Sequence, residues 1–508
     1  MLLSKPFHSV QKFVDNIGMY RIVLLTLGIL AGLSVISGFL GLIAYSGIEL
    51  LIYLVSTVTI AVVLNGAIGY VTKISVNQES ALITALILFF LFIPALSFVE
   101  NWPIWLATVI AIVSKYLFVW KKQHLANPAA IGAAVVSVSG LYISSWWVAN
   151  PTLFIPLVVL GSLVVMKVRK WTPVLAFVLA SLIIFLAESL MSGVGIETAI
   201  STFFLSWPTL FLAFFMLTEP FTMPARKEQQ ILYGGLVAFL SNASIASMFF
   251  AFSPELALVV ANVLLIGTRL TQKLVLEFVS KSEIAKDTYE YVFKKPNGFK
   301  FLPGQYLEWM LPHEKSDSRG PRRYFTIASS PTEPDIRLSM KLVEKGSSYK
   351  KTLQGLDIGK KLIASQLAGD FLLPNNSEEK LAFVAGGIGI TPFRSHIKYM
   401  MDSGVTHDTV LYYCANTKSE VAYRDIFTKA SKQFAFTTIE VIAKEKVSAP
   451  DESGFVTADM IKRRTPDYLE RHWYLSGPPG MVNAYSKLLS ELGVPKKNIT
   501  RDFFPGLA

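Results

Sequence analysis

LAFVAGGIGITPFRSHIKYM, residues 381–400, decides how the C-terminal half of this chain folds. Leu381–Ala385 is an apolar run of strand length, Gly386-Gly387-Ile388-Gly389 can turn tightly, and Phe393–Met401 carries helical spacing. Thr391 reads as the helix N-cap and Pro392 as its first residue, where a missing N–H costs nothing. A glycine turn between strand and helix offers backbone N–H groups and a positive dipole end to an anion. A second strand, Val410–Cys414, follows as a nucleotide-binding α/β domain requires. A third, Trp473–Leu475, runs into Ser476-Gly477-Pro478-Pro479-Gly480-Met481. Residues 377–508 are therefore expected to form an α/β domain with Gly386, Gly387, Gly389, Thr391 and Pro392 around a phosphate.

Immediately upstream, Tyr289–Lys294, Tyr306–Leu311, Tyr324–Ala328 and Ile336–Lys341 alternate in polarity between turn residues. This pattern predicts a small β-barrel over 275–376. Within it lies RRYFTIASSP, Arg322–Pro331. Arg323 can fork onto a phosphate group, an aromatic ring can stack on a flat ring system, and the Thr326 hydroxyl can hydrogen-bond a polar ring edge. Strand alternation points Tyr324 away from Phe325.

These motifs resemble the ferredoxin-NADP reductase-type flavoproteins, whose signature is Arg-x-Tyr-Ser/Thr followed by Ile-Ala-Ser. The matching positions are Arg323, Phe325 and Thr326, with Phe325 replacing the tyrosine, and Pro303-Gly304-Gln305-Tyr306 resembles the family's strand opener. The resemblance implies an FAD seat that draws in Gln305, Tyr306 and Tyr324, and a second pyrophosphate loop at Gly346-Ser347-Ser348. It implies a nicotinamide wall at Ser476, Gly477 and Pro478, with Ser476 where the family has cysteine. It also implies that the aromatic tail, Phe504 in particular, covers the flavin face. Asn416, Thr417, Lys418 and Arg424 can meet a 2′-phosphate or form a solvated loop, so NADH and NADPH stay equally open.

The N-terminal half reads differently. Of the 508 residues, 52% are hydrophobic and only 16% charged, and the mean hydropathy is +0.47. Ten apolar stretches, near 21–44, 48–70, 80–98, 103–120, 128–147, 151–167, 173–192, 199–217, 231–252 and 254–270, predict a membrane all-α bundle over 1–270. The net charge of +11 does not point to nucleic acid, because much of the basic excess lies in short loops beside these stretches. Alternate loops hold Lys5, Lys12, Arg21, Lys73, Lys121, Lys122, Lys167, Arg169, Lys170, Arg226, Lys227, Arg269 and Lys273. The others hold only acidic residues such as Glu49, Glu100, Glu188, Glu197 and Glu255. The bias predicts a multi-pass cell-membrane protein with both ends of the bundle and the flavin domain cytoplasmic, and with membrane lipid around it. A single cysteine, Cys414, excludes intramolecular disulfides and thiolate-held iron–sulfur clusters, and no histidine lies inside a predicted span, which removes paired haem ligands. No metal site is expected.

Three polar segments share the predicted cytoplasmic side: Asn77–Ala81, His124–Ala130 and Leu217–Pro224. Asn127 and Glu219 at the edge of hydrocarbon need a partner, whether a helix cap, a basic side chain or a ligand. ESALITALILFFLFIP, KQHLANPAAIGA and FFMLTEPFTMPARKEQQILYGG resemble the RnfD and NqrB membrane subunits of ion-pumping electron-transfer complexes. That resemblance implies ten helices in two five-helix halves, an inverted repeat echoed by Ala126-Asn127 and Ala261-Asn262, and bound flavin. The family's covalent FMN motif, Ser-x-Ala-Thr, is absent; the fifth and sixth stretches are joined only by Ser144–Asn150. What remains is a second, non-covalent flavin (FMN or riboflavin) held at Asn127 and Glu219.

The two halves together predict a flavin-dependent NAD(P)H oxidoreductase. It would pass electrons through FAD to a flavin, quinone, outside acceptor or partner protein, with coupled ion transport as one branch. A transporter or cation channel regulated by a redox-sensing flavin domain is the alternative.

Overall fold

The computed structural model describes residues 14, 17–73, 76–94, 99–120, 123–224, 227–242, 252–268, 274–313, 321–342 and 346–503. Two compact units divide the chain, Met1–Thr271 and Gln272–Ala508.

The first unit is helical: α1 (Met19–Phe39), α2 (Gly47–Thr72), α3 (Gln78–Leu91), α4 (Trp102–Leu117), α5 (Pro128–Val138), α6 (Pro151–Val168), α7 (Trp171–Met191), α8 (Ile196–Leu205), α9 (Thr209–Met216), α10 (Lys227–Asn242) and α11 (Pro254–Leu264). A two-stranded ribbon, β1 (Val119–Trp120) with β2 (Gln123–His124), precedes α5. Asn77, Asn127, Asn150 and Ser253 cap their helices through side-chain oxygens, and Ser46 and Glu49 form a capping box. Small residues let helices touch. A methyl at Gly132 would meet the Ala107 carbonyl of α4 at 2.3 Å, and one at Gly234 the Pro173 carbonyl of α7 at 2.6 Å.

Each of the ten predicted stretches overlaps a helix, yet ten crossings do not follow. By length and composition α1, α2, α6 and α7 can cross a bilayer, and α8 with α9, bent by 46°, would make a fifth. Helices α3, α5 and α11 have 14, 11 and 11 residues, short of the roughly 20 that a full span needs. The fifth stretch ends early because the chain leaves the helix at Ser139, turns at Gly140 (φ +71°) and then runs irregularly to Asn150. The eighth breaks at Ser206-Trp207-Pro208, and Leu212–Met216 then widens into a π-turn. Along α1, α2, α6 and α7 large apolar side chains face outward, Ile52, Ile155 and Ile183 among them.

The second unit begins with an antiparallel sheet in the order β6-β5-β8-β3-β4-β7. Its strands are β3 (Leu274–Ala285), β4 (Thr288–Lys294), β5 (Tyr306–Met310), β6 (Arg322–Thr326), β7 (Asp335–Lys341) and β8 (Lys361–Ala368), with α12 (Ser348–Gln354) between the last two. The sheet curls on itself. Just beyond β6 the Ala328 N–H donates to the Arg337 carbonyl of β7, and the Arg337 N–H donates to Ser329 Oγ at 3.1 Å, so the expected barrel nearly closes. Phe293, Trp309, Leu338 and Tyr349 fill its interior.

A parallel sheet follows in the order β12-β11-β10-β9-β13-β14. It comprises β9 (Leu381–Gly386), β10 (Thr409–Ala415), β11 (Phe436–Ile442), β12 (Glu452–Ser453), β13 (His472–Gly477) and β14 (Ile499–Phe503), interleaved with α13 (Thr391–Ser403), α14 (Arg424–Gln433), α15 (Ala458–Arg464) and α16 (Pro479–Glu491). β9 is buried along its whole length, as a central parallel strand must be. The order runs outward from β9 to β12 in one direction and restarts with β13 on its other side. That reversal is the point where open parallel sheets bind ligands, beyond the carboxyl ends of the two strands.

Candidate active site

At that reversal the turn after β9 meets the turn after β13. Gly387 has φ +52° with open space where a side chain would be, so its role is conformational. Gly389 is different: a methyl there would meet the Ser476 carbonyl at 2.5 Å and the Gly477 nitrogen at 2.7 Å. A methyl on Gly386 would strike Met481 and Pro478. Two of the three glycines thus hold the turns of β9 and β13 together, and Gly387 leaves the surface bare. Ser476 is fully buried and its Oγ has no hydrogen-bond partner among the described residues.

Thr391 is not the N-cap. The turn Gly387–Ile390 is already 3-10 helical and runs straight into α13, so Thr391 and Pro392 lie inside the first turn, and the Thr391 hydroxyl donates back to the Ile388 carbonyl at 3.2 Å. The anion-binding capacity of this end therefore rests on backbone N–H groups, with no help from that hydroxyl.

The barrel supplies the other wall. Thr326 ends β6 opposite Tyr306; it is 3% exposed and its Oγ1, like that of Ser476, has no partner among the described residues. An orphaned buried hydroxyl costs about 1–3 kcal/mol, so a ligand atom that accepts or donates there recovers real energy. Arg323 and Phe325 share a face of β6 and converge on Tyr349 of α12. The Arg323 guanidinium lies 5.4 Å from that ring's centre, and the Phe325 ring 5.8 Å away. Tyr324, on the opposite face, meets Tyr306 edge-on at 5.7 Å. Tyr349 is absent from the sequence reading, although an aromatic directly after Gly346-Ser347-Ser348 was the available signal.

The serines of that loop are partly committed. Ser347 Oγ caps α12 by accepting from the Lys350 N–H at 3.3 Å, and Ser348 Oγ lies 2.9 Å from His313 Nε2. Gln305 likewise uses its side-chain oxygen on the Leu302 N–H at 2.8 Å, so it shapes the strand opener. Gly304 beside it is obligatory, with φ +88° and the Phe371 carbonyl 1.9 Å from where a methyl would sit. Phe504 lies outside the described residues. Strand β14 does bring Phe503 into register with Gly477.

A buried polar seam joins barrel to α/β layer. Arg394 of α13 pairs with Glu333, its Nη2 donating to Oε1 at 2.8 Å, and Nη1 donates to the Ala328 carbonyl at 3.1 Å. Tyr423 donates to Glu290 at 2.9 Å. Burial would raise the Glu333 carboxyl, but the Arg394 ion pair outweighs it and holds the group below the usual carboxylate range. Burial drives the His396 imidazole the other way, down to about 4, although Nε2 sits 2.9 Å from the Phe371 carbonyl.

In the helical unit the three polar segments converge as the sequence led one to expect. They line a cleft whose walls carry Ser80 and Thr84, Asn127 and Pro128, and Thr218 to Phe221, over apolar Ile83, Ile87, Val164, Val168 and Phe215. Asn127 finds its partners within the protein. Its Oδ1 caps α5 at Ala130, its Nδ2 donates to the Met216 carbonyl at 3.4 Å, and its backbone N–H donates to Asn262 Oδ1 at 3.0 Å. The two asparagines of the suggested repeat are thus bonded to each other. Glu219 accepts from Thr222 Oγ1 at 3.4 Å. Lys115, inside the fourth apolar stretch, escaped the sequence reading. Its Nζ, 7% exposed as a residue, donates to the carbonyl and hydroxyl of Ser80 at 2.8 and 3.1 Å, directly behind the cleft. A lysine within an apolar stretch was the signal for it.

Comparison with known proteins bears on the second unit. A family model described as the oxidoreductase NAD-binding domain matches residues 383–487. The reductase component of propane 2-monooxygenase from Rhodococcus jostii (strain RHA1) is 28% identical over 217 residues, 41% of this chain and 57% of that protein. The stachydrine N-demethylase reductase subunit of Rhizobium meliloti (strain 1021) is 28% identical over 240 residues, 45% of this chain and 66% of that one. The chain thus spans less than two thirds of the length of these curated relatives. Among solved structures, the FAD/NAD-binding domain of nitric oxide dioxygenase from Vibrio cholerae covers 45% of this chain and 98% of its own, at 19% identity and a TM-score of 0.41. The C-terminal half is an oxidoreductase domain with an NAD-binding part at residues 383–487, similar to these reductases.

Proposed function

We propose that the whole chain is a membrane-bound NAD(P)H oxidoreductase that passes electrons from cytoplasmic NAD(P)H through FAD to a second, non-covalent flavin in the helical unit, and onward to a quinone, an outside acceptor or a partner protein. The observation that carries this reading is the cleft: three polar segments from α3, α5 and the turn after α9 meet over an apolar floor. Such a lining suits a flat ring system with a polar edge. The RnfD- and NqrB-like motifs, the outward apolar faces of the long helices and the basic loops on one side support a membrane setting; coupled ion transport is a further branch of the same proposal.

Bound FAD would supply the chemistry of hydride acceptance from nicotinamide and single-electron release. The protein's part is positional. The Arg323 guanidinium is suited to pyrophosphate oxygens, and the Thr326 hydroxyl to the ring nitrogen that gains the hydride. The Gly386–Gly389 turn takes the dinucleotide phosphates, while Ser476, Gly477 and Pro478 back the nicotinamide. Both buried hydroxyls remain able to hydrogen-bond a ring edge.

The test is a flavin count. The purified full chain, precipitated with acid, should release FAD and a second flavin, FMN or riboflavin, in near-equal amounts. Val168→Trp, which fills the cleft from its apolar side, should lose the second flavin and keep FAD. A chain that releases FAD alone rejects the membrane flavin and shifts weight to a quinone in the cleft or to a redox-regulated transporter.

A further inference from the structure

We propose that the coenzyme site selects NADH over NADPH; the inference rests on the oxidoreductase reading above. In an open parallel sheet the adenosine ribose lies beyond the end of the strand next to the phosphate turn. Here that strand is β10, and the ribose would meet the loop from Asn416 to Tyr423. NADPH brings a 2′-phosphate to this place, and it needs cations that are not already neutralised. The loop's cations are each paired with a carboxylate. Arg424 forks onto Glu440, with Nε to Oε1 at 2.6 Å and Nη2 to Oε2 at 2.7 Å, while Nη2 also donates to the Lys418 carbonyl. Lys418 pairs with Asp451 at 3.0 Å. Lys341, reaching in from β7, pairs with Glu420 at 2.8 Å.

Carboxylates crowd the same loop. Glu445 Oε2 takes the Lys418 N–H at 2.9 Å, and Glu420 Oε2 takes the Asn416 amide at 3.3 Å. A carboxylate at this end of the second strand suits a ribose diol, which donates two hydrogen bonds, and repels a phosphate. Lys444 and Lys446 are exposed on the neighbouring turn, but Glu445 stands between them, so the turn as a whole gains little positive charge. Binding a 2′-phosphate therefore means breaking a bidentate ion pair or facing these carboxylates.

The full chain, loaded with FAD, is assayed with NADH and with NADPH against ferricyanide, and titrated calorimetrically with AMP and with 2′-phospho-AMP. kcat/KM should favour NADH by at least about tenfold, and AMP should bind more tightly than its 2′-phosphate. Glu440→Ala, which releases Arg424, should shift the NADPH-to-NADH ratio upward by about tenfold, one charge-assisted contact's worth. Preference for NADPH in the parent protein, or tighter binding of 2′-phospho-AMP, overturns the proposal, and so does a folded Glu440→Ala with an unchanged ratio. Oxidation of neither coenzyme while AMP still binds would instead sink the oxidoreductase reading itself.

Discussion

Two hydroxyls carry most of the argument at the scale of single residues. Thr326 Oγ1 and Ser476 Oγ are both buried and both without partners among the described residues. Thr326→Ala should retain FAD but slow its reduction by NAD(P)H about tenfold, since a hydrogen bond is worth about 1 kcal/mol or more in such a site; stopped-flow bleaching of the flavin band reads this directly. Arg323→Ala should instead lower FAD content, measured as FAD released by acid and separated from any other flavin by chromatography. Wild-type behaviour in both variants would mean that the seat is misplaced. His396 offers a test by pH. Its folded pKa, near 4, lies below its ordinary value of about 6.5. Between the two the unfolded chain binds more protons, so stability is fully present above the ordinary value and falls as pH drops through this window, by about 3 kcal/mol in all. Glu333, held low by Arg394, adds to the acid sensitivity at still lower pH. Melting temperature against pH should fall between pH 6.5 and 4, and His396→Asn should flatten that slope.

Among the elements, the strand–turn–helix at Leu381–Ser403 was legible because glycine, proline and apolar runs act locally. The same local rule misplaced Thr391, since nothing in the sequence shows that the glycine turn is itself helical and pushes the threonine one turn inward. The glycines also looked alike in the sequence and are not. Gly387→Ala should cost only the strain of a left-handed φ, about 1–2 kcal/mol. Gly389→Ala must push the β13 turn away and should both lower the melting temperature further and raise KM for the coenzyme. Equal effects of the two would contradict the packing described here. In the helical unit, apolar runs located all ten segments, but hydropathy does not register a break such as Ser206–Pro208, nor the irregular chain after Gly140. The asparagine link between Asn127 and Asn262 spans 135 positions, a distance that no local pattern reports. Asn127→Leu is accordingly a poor probe of the cleft, because it also removes a cap worth about 1 kcal/mol.

On the scale of the whole molecule, the basic loops predict that protease added to intact spheroplasts leaves residues 280–508 whole, whereas detergent exposes them; cleavage from outside would reverse the orientation. Strand order carries a consequence of another kind. β9 lies beside β13, yet some ninety positions of chain separate Leu381 from His472, and β10, β11 and β12 are laid down between them. During synthesis the apolar flank of β9 has to wait, unpaired on that side, until nearly all of the domain has left the ribosome. The barrel, whose last strand ends at Ala368, can form well before then. A growing or truncated chain can thus acquire its flavin seat while still lacking the wall that admits the coenzyme. The order of manufacture keeps the electron inlet shut until the remainder of the protein has been made.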